Sequence, residues 1–147
     1  MLTRSMLTQS REHATPFPGV RIRMRLSDEA FESVVDDALA SIPEGFHRYL
    51  QDIVVDVEDM PDEAVCEDVG IDDPRGLLGL YHGTPLTERH VDAPYRMPER
   101  IVIYRRNIER MCRSRRQMVD QIRKTVLHEV GHHFGLSEQI LRELGFG

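Results

Sequence analysis

The chain has 147 residues, a mass of 17.0 kDa and 40% hydrophobic side chains, enough for one domain with a real core and too little for two ordinary ones. Two cysteines without C-x-x-C spacing, Cys66 and Cys112, give no sign of a disulfide framework or a thiolate zinc site, and leave two ordinary buried or half-buried thiols as the expectation. The net charge of -6 is divided unevenly: residues 28–73 hold sixteen acids against one arginine, and the remainder nine acids against eighteen Lys/Arg. Intramolecular pairing and a solvated helix face explain the arginines of residues 100–124 more simply than nucleic acid does, since Tyr104 is the one aromatic residue among them and no interleaved pattern results.

Residues 1–20 are polar and broken by Pro16, Pro18 and Gly19, which predicts a flexible tail ahead of a domain over 21–147. No apolar leader and no membrane-length run is visible, so a cytoplasmic protein away from membranes is expected. Val20, Ile22, Met24 and Leu26 alternate with arginines, the period of a half-buried strand or the ordered end of the tail. Ser27 caps a helix over 28–40, with Asp28 and Glu29 in its first turn and Ala30, Phe31, Val34, Val35, Ala38 and Leu39 on one face. Pro43 opens a shorter helical piece to Leu50. Ile53–Val57 reads as a strand, and a short helix then runs through Asp68 to stop at Gly70. Leu77–Tyr81 is a second strand, whose glycines suggest a bulge or a close backbone approach. Residues 84–99 form a long connection interrupted by Pro85, Pro94 and Pro98, of the kind that tends to carry function or motion. Arg100–Tyr104 is a third strand and Asn107–Cys112 a helical stretch. A long amphipathic helix follows from about Ser114 to Phe134, with Met118, Val119, Ile122, Val126, Val130 and Phe134 buried, and Ser137–Leu144 closes the fold.

The chemistry is concentrated at the end of the long helix. His128 and His132 are four residues apart and share a helix face, so both imidazoles can reach one metal ion. Glu129, next to the first of them, is placed to act as general base on metal-activated water. Gly135 accepts the positive φ that turns the chain back, and the turn can return Glu138 as a third ligand, leaving a fourth position open. A helix-dipole role for Glu138 in the first turn after Ser137 is the alternative. His133 points off the ligand face and reads as a packed histidine. An HExxH run arises by chance in this composition with a probability of roughly 0.03, which falls to the order of 0.0003 when the glycine and the acid are also required.

The chain resembles the small bacterial zincin-like metallopeptidases, a minimal metalloprotease-like domain. The resemblance covers about residues 26–146 and rests on Gly79–Arg89 (GLYHGTPLTER), Pro98–Arg105 and His128–Ser137 (HEVGHHFGLS). It implies an α+β zincin-like fold, with a small mixed sheet of about three to four strands packed on the N-terminal helix and the long motif helix. It also implies His128 and His132 as zinc ligands, Glu129 as catalytic base and position 138 as the third ligand, where the family usually has Asp and this chain has Glu. Only nine residues follow Glu138, too few for the Met-turn of metzincins, so the site floor is expected to be built otherwise.

The expected activity is zinc-dependent hydrolysis of peptide or protein substrates. Tyr81, Tyr95 and His82 are candidates for stabilising the oxyanion, and the strand at 77–81 is a candidate to pair with an extended substrate. Two imidazoles and a carboxylate favour zinc, though iron, nickel or cobalt suit the same donors. A weakly active or inactive zinc-binding interaction domain is the alternative. Metal-dependent RNA cleavage ranks last, because the comparable RNA-cleaving motif lacks the glutamate after its first histidine.

Overall fold

The computed structural model describes residues 25–83 and 99–143. The proposed tail, most of the alternating stretch at 20–26, Tyr95 and nearly all of the 84–99 connection lie outside them, and Arg25 and Leu26 are irregular.

Helix α1 (Asp28–Ala40) starts where expected, because the Ser27 side chain accepts the Ala30 N–H at 3.1 Å, a cap worth about 1 kcal/mol. Pro43 stands outside the next helical piece: the chain makes a 3-10 turn at Glu44–Phe46 and then one α-turn, α2 (His47–Leu50). Strand β1 (Val54–Glu58) and helix α3 (Glu63–Val69) follow, then β2 (Gly79–His82), β3 (Arg100–Tyr104) and α4 (Arg105–Met111). The long helix α5 (Arg115–His133) is capped by Ser114, and α6 (Glu138–Glu143) closes the described chain. The fold is α+β, with six α-helices and a three-stranded sheet among the described residues.

The strand order is β1-β3-β2, with β1 parallel and β2 antiparallel to the central β3. Alternation along β3 decides what each face covers. Ile101 and Ile103 join the main core with Phe31, Val34, Met118, Ile122 and Val126, so α1 and α5 pack on that face. The other face buries Val102 and Tyr104, with Asp62 and Cys66 of the α3 segment beside the Tyr104 phenol. Burial first, and the charges of Glu58 and Asp62 second, push that phenol up to about 12. Both cysteines are free and buried.

Helix α4 ties the layers together through polar side chains that hydropathy cannot forecast. Arg105 is buried and ion-pairs with Asp28 of α1 and, at 2.8 Å, with Asp59 after β1. Its guanidinium holds the Asp28 carboxyl below the ordinary carboxylate range. Glu109, also buried, accepts the Leu26 N–H at 2.7 Å and pairs with Arg106. Asn107 donates to the carbonyls of Pro74 and Leu77 at 2.8 and 2.6 Å, which fixes the entry to β2. Arg100 and Arg115 reach Asp56 and Asp37 in turn, so arginines of the basic stretch are paired with acids of residues 28–73.

Candidate metal centre and active site

The site is made by one helix end, the turn after it and the β2 edge. Helix α5 stops in a Schellman closure: Gly135 has φ +74°, its N–H reaches the His132 carbonyl at 3.1 Å, and the Leu136 N–H donates to the Gly131 carbonyl at 2.7 Å. The reversed chain lays α6 against α5, with Leu141 buried on Gly131, where an added Cβ would lie 2.9 Å from both Leu141 methyls. A glycine between the two histidines therefore lets α6 approach closely enough for its first residue to reach them.

Glu138 Oε1 lies 3.5 Å from His128 Nδ1 and 3.6 Å from His132 Nε2. Three donors bound tetrahedrally to zinc at about 2.1 Å stand about 3.4 Å apart, so each of the two Glu138 contacts has the length that sharing an ion with that histidine requires. The donor chemistry fits as well: two imidazoles and one carboxylate, a three-ligand set that leaves a position open. All three side chains are accessible, with exposures of 45, 53 and 61% for His128, His132 and Glu138. Ser137 also caps α6 by accepting the Ile140 N–H at 3.2 Å. The helix-start and histidine-facing positions of Glu138 are thus compatible.

Glu129 is held differently. Donor atoms of His128, Glu129 and His132 also lie within 4.8 Å of one another, but Glu129 Oε1 accepts the Tyr81 backbone N–H at 3.1 Å. The pairing of β2 explains why that N–H is available. Tyr104 donates to Leu78, and in an antiparallel ladder alternate residues turn their backbone groups away from the partner. Gly79 and Tyr81 therefore face the free edge of the described sheet, toward α5. Gly79 lies against the helix, where a Cβ would come within 2.7 Å of Thr125 Cγ2 and 3.1 Å of the Val102 carbonyl; this is the close approach its sequence context suggests.

His133 is a packed residue: its side chain is 6% exposed, stacks on the Tyr81 ring at 4.1 Å and places Nε2 3.8 Å from Glu99. The Tyr81 hydroxyl donates to the same Glu99 carboxylate. Tyr81 thus braces the strand, and its hydroxyl is directed to Glu99. His82 is half-buried on the same strand.

A cleft of about 310 Å³ runs from His128 and Glu129 toward the start of α5, lined by Leu78, Gly79, Gln121, Lys124 and Thr125. Motif spacing does not reveal the roles of Asn107, Glu99 and Lys124 in building this region. Asn107 and Glu99 carry no local signal, but Lys124 lies four residues before His128 on the same helix face and is the sole lysine of the chain.

Among the described residues no helix is long and apolar enough to cross a membrane. No curated protein matches the sequence significantly. The model of one family, zincin-like metallopeptidase, matches residues 50–147, which span every site residue named above. The match takes in two thirds of the chain, and the chain belongs to the zincin-like metallopeptidase family.

Proposed function

We propose that this protein is a zinc-dependent peptidase in which His128, His132 and Glu138 hold the metal and Glu129 is the general base. The observation that carries the reading is the division of labour between two carboxylates. Glu138 meets both imidazoles at 3.5 and 3.6 Å, while Glu129 is oriented from the other side by the Tyr81 N–H.

Bound zinc supplies Lewis acidity, activating water and polarising the scissile carbonyl. The chain's own residues do the rest. With Oε1 of Glu129 engaged by Tyr81, Oε2 is the atom that takes the proton from the attacking water and passes it to the leaving amine. The Tyr81 ring, stacked on His133 and tied to Glu99, keeps that N–H in place. An extended substrate lies along the β2 edge, using the outward backbone groups of Gly79.

The test is metal content and hydrolysis of unfolded proteins, measured together. His128→Ala and His132→Ala lose metal and activity, Glu138→Ala binds metal more weakly, and Glu129→Gln keeps the metal and loses activity. Metal unaffected by all three ligand changes would overturn the site, and full activity in Glu129→Gln would overturn the base. Zinc retained with no hydrolysis in the unaltered protein would favour the interaction-domain alternative.

A further inference from the structure

We propose that Lys124 recognises a substrate carboxylate in the cleft, so that the enzyme selects peptides presenting a negative charge about two residues from the scissile bond. The proposal rests on the peptidase reading for the identity of the ligand, and on the cleft itself for the chemistry.

Lys124 lines the cleft with Leu78, Gly79, Gln121, Thr125, His128 and Glu129. Four residues on a helix rise about 6 Å, and helical side chains lean toward the helix N-terminus. The ammonium therefore stands beyond His128, on the side of the cleft leading away from the histidine pair. An extended chain advances about 3.3 Å per residue, which places Lys124 roughly two residues along a substrate strand lying beside β2.

The surroundings leave this charge for a ligand. Asp120, the acid one turn earlier, is taken by Arg123 at 2.8 Å, and no carboxylate among the described residues pairs with Lys124. The wall opposite is Leu78 and Gly79, which bring no charge. Residue type supports the same reading. The chain uses arginine at eighteen of its nineteen basic positions, and the described arginines of α4 and α5 include four in ion pairs with the protein's own acids. A lysine, with three donors on a flexible stem, suits a carboxylate whose position varies between substrates. That carboxylate is either an acidic side chain or the substrate's own C-terminus.

The experiment is fluorescence anisotropy of N-terminally labelled peptides on the full-length zinc-loaded Glu129→Gln protein, which binds without turnover. One arm compares a free C-terminus with an amide. The other moves a single Glu, against Gln, through amidated peptides. Expected is a preference of about two- to fivefold, the upper part of the range for an accessible charge pair, for the carboxylate in one arm. Lys124→Met removes it, Lys124→Arg retains most of it, and Lys124→Glu turns it toward peptides carrying Lys. Equal binding across both arms, or a preference that survives Lys124→Met, overturns the proposal. Hydrolysis assays with Glu129 intact separate the two readings: cleavage without charge preference removes Lys124 alone, and charge preference without cleavage removes the peptidase alone.

Discussion

Replacing Gly79 by alanine tests whether the β2 edge is set by contact with helix α5. The new methyl would stand 2.7 Å from Thr125 Cγ2 and 3.1 Å from the Val102 carbonyl, whereas carbon atoms pack comfortably at about 3.5–4.0 Å. Relief therefore needs a movement of about 1 Å. Thr125 yields poorly, because it is β-branched and its hydroxyl donates to the Gln121 carbonyl at 2.8 Å. Overpacking of this kind costs about 1–3 kcal/mol, and the reduced entropy of the unfolded alanine chain offsets about 0.4–1 kcal/mol. A net loss of about 1–2 kcal/mol is expected, read from urea unfolding followed by circular dichroism. Thr125→Ser removes Cγ2, so in the Gly79→Ala background it recovers part of the loss; the remainder belongs to the Val102 carbonyl. Hydrolysis falls in the single variant, because Tyr81, two residues further along, carries the N–H that orients Glu129. Wild-type stability in Gly79→Ala, or a double variant equal to the sum of the singles, would refute the reasoning.

Three further outcomes follow from the same structure. Asn107→Ala orphans the carbonyls of Pro74 and Leu77 and should cost about 2–4 kcal/mol, with earlier amide exchange in β2 than in β1; stability unchanged in urea would show that water replaces the side chain. Tyr104 has its phenol pushed up to about 12 from an ordinary 10. The raised value means that its contribution is complete below about pH 10 and lost as pH rises toward 12, up to about 3 kcal/mol, so Tyr104→Phe should flatten the alkaline limb of a stability profile. Gly131→Ala gains about 1 kcal/mol in helix propensity but presses on the Leu141 methyls at 2.9 Å. Its stability should stay near that of the parent while metal affinity, measured by competition with a chelator, falls as α6 carries Glu138 away.

Features that depend on a few neighbouring residues are legible from the chain alone. The cap Ser27, the β-branched run at 100–104 and the stripe Met118, Ile122, Val126 and Val130 each encode an element through spacing and propensity, and the structure has them at those positions, while Val119 and Phe134, expected on the same stripe, are half-buried. The candidate metal residues are legible for the same reason: His128, Glu129 and His132 belong to two turns of one helix, and Gly135 predicts the reversal that returns Glu138. Pro43 is less informative, since proline suits both the first helical position and the residue before it, where the structure has it.

Tertiary structure alone decided the contacts that cross the sequence. Tyr81 meets Glu129 over a separation of 48 residues, and Asn107 meets Pro74 over 33. Neither residue has a local pattern that names its partner. The partner depends on strand order, on which backbone groups the ladder with β3 leaves pointing outward, and on how closely Gly79 and Gly131 let neighbouring elements approach. The cleft holding Lys124 has the same origin. Spacing can assign residues to one helix face, but only the packed sheet determines what that face looks at.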